Sequence, residues 1–482
     1  MIHLTAQQLD RAVGAIVASA AGDALGSQYE LGPAHPDTFT PEFGVGCFGH
    51  DLGEWTDDTS MAMPILQVLA AGRTLESSDA QDEIVTRWRD WARTAKDVGT
   101  QTRSVLAHLQ TPSAAAARAR SEELHHATAR SAGNGSLMRT GPVALGYLDR
   151  SPAELAAAAG EIARLTHWED DNADATALWS LAIRHAVLAG RLDIRGGLEL
   201  IPAGRRERWS GLIDEALTPA AHPRDFRQGN GWVVRAFQAA LSAIAGATSL
   251  RDALERAVRG GGDTDTVAAI AGSLAGALHG ATALPLSFTR VLHGWPGLRA
   301  DDLTRLAVLA ARRGEPDREG WPLAERATVY PQSDFLFRHP HDDGVWIGSL
   351  AALDRLPAEV DAVVSLCRMG TGQVPGDIES VPVWLIDQEG RNDNLDVVLR
   401  EAADAVATLR AEGKVVFLHC AEGRSRTSAV AALYGVRHHE IPLGQAWDDV
   451  RSTLPGFAPQ PFLREAVERV VGDAGQRPRV DP

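Results

Sequence analysis

Lys414-Val-Val-Phe-Leu-His419-Cys420-Ala-Glu-Gly423-Arg-Ser425-Arg426-Thr427-Ser428 reads as a buried strand, a short loop and the start of an apolar helix. A strand that passes through a loop directly into a helix is the repeating unit of an α/β sheet. Five residues separate Cys420 from Arg426. A loop of that length, here carrying Gly423 and Ser425, can wrap a phosphate in successive backbone N–H groups, and the helix N-terminus adds positive potential. The same potential lowers a cysteine pKa, so Cys420 is expected to be a nucleophilic thiolate. Arg426 is expected to grip two phosphoryl oxygens at once, and Thr427 to offer its hydroxyl to the thiolate. Such chemistry also needs an acid for the departing alcohol. Asp387, at the end of the apolar run Val381 to Ile386, is the first choice and Asp393 the reserve.

Upstream of this stretch, short apolar runs alternate with helical periodicity. Strands are expected at 344–347, 360–366, 381–386 and 415–418, and helices at 395–409 and 428–436. The pattern predicts an α/β domain with a central, mostly parallel sheet. Before about residue 313 the texture differs. Stretches such as 82–95, 152–165, 173–189 and 232–245 repeat apolar residues at three-to-four spacing, so that part is expected to be all-α. Between the two, Arg312-Arg-Gly-Glu-Pro-Asp-Arg-Glu-Gly and the following Trp-Pro and Tyr-Pro pairs combine breakers and charges without a period. The expected division is 1–313, a linker over 314–332, and 333–475.

The 482-residue chain has 44% apolar and 23% charged residues, as soluble globular proteins do. Its formal charge of -16 argues against direct nucleic-acid binding, which needs a basic face. Three widely spaced cysteines, Cys47, Cys367 and Cys420, form neither a disulfide framework nor a zinc spacing. A cytoplasmic location is expected, with no membrane span or signal peptide.

In the first part, two Thr/Asp clusters each open a helix: Trp55-Thr56-Asp57-Asp58-Thr59 and Gly261-Gly262-Asp263-Thr264-Asp265-Thr266. Helix capping needs one such residue per helix. Four carboxylates in two tight groups repel one another unless a cation lies between them. Carboxylate and hydroxyl oxygens are hard ligands, which favours Mg²⁺, with Mn²⁺ as the alternative. A binuclear centre about 3.5–4 Å across is the expectation. The Gly-rich loop Gly133-Asn134-Gly135-Ser136 can bring backbone N–H groups to a diphosphate. His167 sits between two helical stretches, and Pro64 falls near the first turn of its helix.

Two resemblances follow from these motifs. Residues 335–470 resemble the cysteine-dependent protein phosphatases, in the compact dual-specificity form. That resemblance implies Cys420 as nucleophile, Arg426 as phosphate clamp and Asp387 as general acid, with no metal. No tyrosine-recognition loop is legible, so phosphotyrosine and phosphoserine/threonine both stay open. Residues 10–310 are similar to the ADP-ribosylglycohydrolase family, on Gly22-Asp-Ala-Leu-Gly26 with Glu30, Trp55-Thr-Asp-Asp-Thr59, Gly133-Asn-Gly-Ser-Leu-Met-Arg139, Thr166-His167, Gly229-Asn-Gly-Trp232 and Gly261-Gly-Asp-Thr-Asp-Thr-Val267. This second resemblance implies two metal ions held by Thr56, Asp57, Asp58, Asp263, Asp265 and Thr266. Glu30 would lie beside the scissile bond, and Gly133, Asn134, Gly135, Ser136 and His167 would hold the ADP-ribose. The catalytic base is left open.

The leading expectation is a bifunctional hydrolase. Its partners would be an ADP-ribosylated protein or ADP-ribose derivative, and a phosphorylated protein or small phosphate ester. An ADP-ribose-binding sensor with an idle site is one alternative. Another is the joint processing of a phosphorylated ADP-ribose by both domains.

Overall fold

The computed structural model describes residues 3–128, 131–327 and 334–474. The chain forms two compact units, Met1–Leu284 with Phe288–Glu315, and Pro285–Ser287 with Pro316–Pro482. Of the expected linker, residues 328–332 lie outside the described residues, as do the domain bounds 1, 333 and 475. Residues 316–327 pack within the second unit. The Asp317 carboxylate pairs with Arg368, and the amides of Thr371 and Gly372 donate to the carbonyls of Ala324 and Glu325.

Among the described residues the first unit is helical apart from a two-stranded ribbon, His293–Gly294 with Leu298–Arg299. Its centre is the pair Ala6–Gly26 and Thr264–His279. Gly14, Ala18, Gly22 and Gly26 recur at every fourth position and face Gly276, Gly272, Ala268 and Asp265. A Cβ on Gly14, Gly22, Gly272 or Gly276 would overlap the opposite backbone, so the two helices touch main chain to main chain. Helix separation is set by the side chains at the contact, and here there are almost none. The Asp57–Ala70 helix packs beside this pair and runs through Pro64 unbroken.

In the second unit the strand order is Leu336–His339, Asp342–Ser349, Val416–Cys420, Ala362–Ser365 and Glu379–Pro382. The first pair is antiparallel and the others parallel, so the sheet is largely parallel. Val416–Cys420 is central, and all five of its residues are buried. Helix Leu395–Ala411 buries Val398, Leu399, Ala402, Val406 and Leu409, the face that its periodicity marks out. One strand is shorter than expected. The run 381–386 leaves the sheet at Pro382, and the Leu385 carbonyl accepts from Arg426 instead of a ladder neighbour. Among the described residues, no helix is long and apolar enough to cross a membrane.

Candidate active sites

In the first unit the two Thr/Asp clusters meet. Thr56 occupies the N-cap position of Asp57–Ala70 but makes no side-chain cap bond. Its hydroxyl lies 2.8 Å from Asp23 Oδ1 and 3.1 Å from Asp58 Oδ2. The Thr266 hydroxyl donates to that same Asp58 oxygen at 3.4 Å, joining clusters 208 positions apart. Asp58 Oδ1 is buried without a hydrogen-bond partner. Glu30, Asp263 and Asp265 offer carboxylate oxygens within 4.8 Å of one another. The loop is tied in as well: the Asn134 amide donates to Asp263 Oδ2 at 2.7 Å.

Burial and mutual repulsion push these carboxyls upward. Asp57, Asp58 and Asp265 are raised well above the usual range, first by burial and then by neighbouring carboxylates. Glu30 is raised to about 7 by burial, then by the charges of Asp263 and Asp97. A set of buried acids with an unengaged oxygen among them is a donor set for a hard divalent cation, and the residues present fit such an ion.

His167 lies beneath the glycine loop. A Cβ at Gly133 would stand 3.3 Å from its Nε2, and one at Gly135 would stand 3.0 Å from its Cε1. Only a loop lacking side chains at both places can sit so close to the ring. Burial, reinforced by Arg139, holds the His167 pKa well below its ordinary value, so the imidazole is neutral. Its Nδ1 pairs with the Thr166 hydroxyl at 2.7 Å. Ser136 Oγ and the Gly133 carbonyl both accept from the Asn172 amide at 2.7 Å.

Two carboxylates of this site carry no role in the sequence reading. Asp23, fully buried, accepts from the backbone and hydroxyl of Thr56 and from those of Thr59. Its signal was an acid within the apolar, Ala-rich helix Ala6–Gly26. Asp97 raises both Asp57 and Glu30 electrostatically, yet Lys96-Asp97-Val98 has no local pattern to mark it.

In the second unit Cys420 ends the central strand, and Arg426 opens the helix Arg426–His439. The intervening loop turns at Gly423, whose φ is +70°. Arg426 Nη1 donates to the carbonyls of Leu366 (2.7 Å) and Leu385 (3.0 Å), which fixes the guanidinium plane. Its Nε is buried without a hydrogen-bond partner and lies 3.7 Å from Asp387 Oδ2. The Ser425 hydroxyl donates to Asp387 Oδ1 at 2.7 Å, so the expected acid stands against the expected phosphate loop. Asn392, to which the sequence reading gave no role, brackets Ile386 with two hydrogen bonds of 2.8 Å and so positions Asp387. Asp393 lies in the turn before Leu395–Ala411. The Thr427 hydroxyl, expected at the thiol, donates to the Gly348 carbonyl at 3.4 Å. His419 is fully buried; burial takes its pKa to about 4, and its Nε2 pairs with Ser365 Oγ at 2.9 Å.

Comparison with known proteins follows the same division. The ADP-ribosylarginine hydrolase Tri1 of Pseudomonas putida (strain GB-1) is 30% identical over 283 residues, 58% of this chain and 73% of that protein. The ADP-ribosyl-[dinitrogen reductase] glycohydrolase of Rhodospirillum rubrum is 29% identical over 291 residues, 57% of this chain and 88% of that protein. The second unit is similar to the dual specificity protein phosphatase 1 of Arabidopsis thaliana, 26% identical over 129 residues, 26% of this chain and 64% of that protein. The family model of the ADP-ribosylglycohydrolases matches residues 4–319. On that match, and on the buried carboxylate site it encloses, the chain belongs to the ADP-ribosylglycohydrolase family.

Proposed function

We propose that the first unit hydrolyses the bond between ADP-ribose and a modified target, with Mg²⁺ or Mn²⁺ held by Thr56, Asp57, Asp58, Asp263, Asp265 and Thr266. The carrying observation is the Thr266–Asp58 contact, which brings both carboxylate clusters around the unengaged Asp58 Oδ1. A divalent ion bound there supplies Lewis-acid polarisation and orients the ribose hydroxyls. The chain's own groups do the rest. The loop Gly133 to Ser136 receives the diphosphate at Gly135 and Ser136, because the Gly133 and Asn134 amides already donate to Gln101 Oε1 and the Gly231 carbonyl, and the Asn134 side chain ties the loop to Asp263. His167, kept neutral, supports the loop without competing for the phosphates. Glu30, with a carboxyl raised to about 7, can hold or accept a proton beside the scissile bond. Mass spectrometry of ADP-ribosylated peptides, arginine- and serine-linked, with and without chelator, tests this reading. Release that stops with chelator is expected, and no release from either peptide refutes it.

For the second unit we propose phosphate-ester hydrolysis. Cys420 Sγ attacks phosphorus to form a cysteinyl phosphate, and the departing oxygen takes a proton from Asp387. Water then attacks the phosphorus and gives its proton to the Asp387 carboxylate, returning phosphate and the thiolate. The Ser425–Asp387 hydrogen bond, which keeps the acid at the loop's edge, supports this assignment.

A further inference from the structure

In the second unit, the segment 454–460 lies against the loop between Cys420 and Arg426 and gathers basic side chains beside it. The Ala458 amide donates to the Arg424 carbonyl and the Gln460 amide to Ser425 Oγ, each at 3.2 Å. Ser425 in turn holds Asp387, so the segment stands at the edge of the catalytic loop. Gly456, with a φ of +74°, makes room for the Arg424 side chain. A Cβ there would stand 2.9 Å from Arg424 Nε and 3.3 Å from its Nη2. The next residue, Phe457, carries two more arginines, whose guanidinium carbons lie 5.2 Å (Arg451) and 5.5 Å (Arg464) from its ring centre. Arg464 also lies 5.2 Å from the ring centre of Trp447. Three guanidinium groups thus converge on the dipeptide Gly456-Phe457.

The carboxylates nearby do not match them. Arg451 pairs with Asp448 at 2.9 Å, whereas Arg424 reaches Glu422 only at 3.9 Å. Among the described residues Arg464 has no carboxylate partner. Stacking on rings explains why one arginine covers Trp447 and Phe457. It does not account for Arg424, which rests on a glycine, nor for a surplus of cations at this place in a chain of formal charge -16.

We propose that Arg424 and Arg464 form a second anion site, which takes a further phosphoryl group of the substrate while the scissile one occupies the Cys420 loop. The inference rests on the phosphate-ester hydrolase reading of this unit. A guanidinium held flat on a ring or on backbone keeps its N–H edges for oxygen, and phosphate oxygens accept two of them at once. A phosphate monoester carries nearly two negative charges, which two unneutralised arginines balance. The substrate class is therefore a molecule with two phosphoryl groups, and a doubly phosphorylated peptide and a small bisphosphate present the same chemistry.

The test uses the full chain and pairs each doubly phosphorylated probe with its singly phosphorylated counterpart. One arm compares peptides with two phosphates and with one; the other compares fructose 1,6-bisphosphate with fructose 6-phosphate. The doubly phosphorylated probe should have the higher kcat/KM by about tenfold, chiefly through KM, and the arm that shows it identifies the source. That preference should shrink as salt is raised. R464L keeps an apolar stem over Trp447 and Phe457; it should abolish the preference while kcat/KM on p-nitrophenyl phosphate stays within twofold. R464K, which keeps the charge, should retain part of it. An arginine that only covers the rings would instead lower Tm in R464L and leave the preference intact, and that result overturns the proposal. So would equal kcat/KM within both pairs in wild type, a result that needs no variant to fold. A wild type that leaves p-nitrophenyl phosphate uncleaved refutes the phosphatase reading alone. Calorimetric binding of the two doubly phosphorylated probes, weakened about tenfold by R464L or unchanged by it, then still decides the anion site.

Discussion

The amide and the hydroxyl of Thr56 both point at one oxygen of Asp23, 2.9 and 2.8 Å from Oδ1. The other oxygen takes the amide and hydroxyl of Thr59, at 3.0 and 2.6 Å. Asp23 thus fixes the start of the helix that carries Asp57 and Asp58. Groups that orient metal ligands commonly matter ten- to hundredfold. D23N, which keeps the size but replaces an acceptor with a donor, is expected to weaken Mg²⁺ binding by about that factor. Calorimetric titration with Mg²⁺ measures it, and an affinity equal to wild type would leave Asp23 a purely structural acid.

Clustered carboxylates trade stability for ligand capacity. Mg²⁺ or Mn²⁺ should raise the Tm of the first unit, and chelator should lower it. Asp58 is raised well above its ordinary pKa by burial and by Asp23 and Asp57. D58N therefore removes a repulsive partner: in chelator its Tm should exceed that of wild type by a few degrees, about 1–2 kcal/mol. The same variant should lose the rise with Mg²⁺. Scanning calorimetry under both conditions checks both parts.

At the glycine loop, the His167 ring leaves no room for a methyl group. G135A would place a Cβ 3.0 Å from His167 Cε1, so the loop must lift by a few tenths of an ångström. ADP-ribose affinity should fall about tenfold while Tm changes little, because the loop lies at the edge of the packed helices. Isothermal titration with ADP-ribose reads the first quantity and thermal melting the second.

In the second unit, C420S should bring aryl-phosphate hydrolysis to background without touching ADP-ribose release. D387N should lower kcat by roughly 10²–10⁴ on alkyl phosphates, and by less on esters with good leaving groups, as expected for a lost general acid. Equal losses on all esters would instead mean that Asp387 only props the loop through Ser425.

His339 and His419 are both buried, and burial lowers each pKa to about 4. In the unfolded chain an imidazole protonates near 6.5. Between these values only the unfolded state takes up the proton, so their contribution is complete above pH 6.5 and falls away as pH drops towards 4. Its size is on the order of 3 kcal/mol for each residue. Urea midpoints of the second unit's transition should therefore decline from pH 7 to 4.5, and a flat profile would contradict the neutral, buried state of these rings.

Periodic and clustered features were readable because they repeat within a few residues. The face of Leu395–Ala411, the strand into Cys420 and the paired Thr/Asp clusters are of this kind. What the sequence hid is made by long-range packing. The strand Leu336–His339 is a short antiparallel edge before Asp342–Ser349, too brief to alternate visibly. The apolar run to Ile386 looked like a longer strand, but its pairing ends with the Val383 amide on the Ser365 carbonyl, and Arg426 claims the Leu385 carbonyl. Asp97 reaches the acid site because the Gly99 amide donates to Asp57 Oδ2 at 3.2 Å, 42 positions away. The indoles of Trp55, Trp91 and Trp295 come together beside Asp57 from three separate segments of chain. Neither leaves a trace in local spacing.

The seam between Ala6–Gly26 and Thr264–His279 bears on more than packing. Asp23 steers Asp57 and Asp58 from one helix, and Asp265 rides on the other, where a Cβ on Gly26 would stand 2.5 Å from its Cα. The separation of the two ligand clusters is therefore dictated by main-chain contact along the whole interface, down to Gly14 and Gly276. A methyl group added at Gly14, more than two helical turns from Asp23, would wedge the helices apart and widen the cation site without altering any ligand. The size of ion that the proposed site would accept is thus written partly in residues that never approach it.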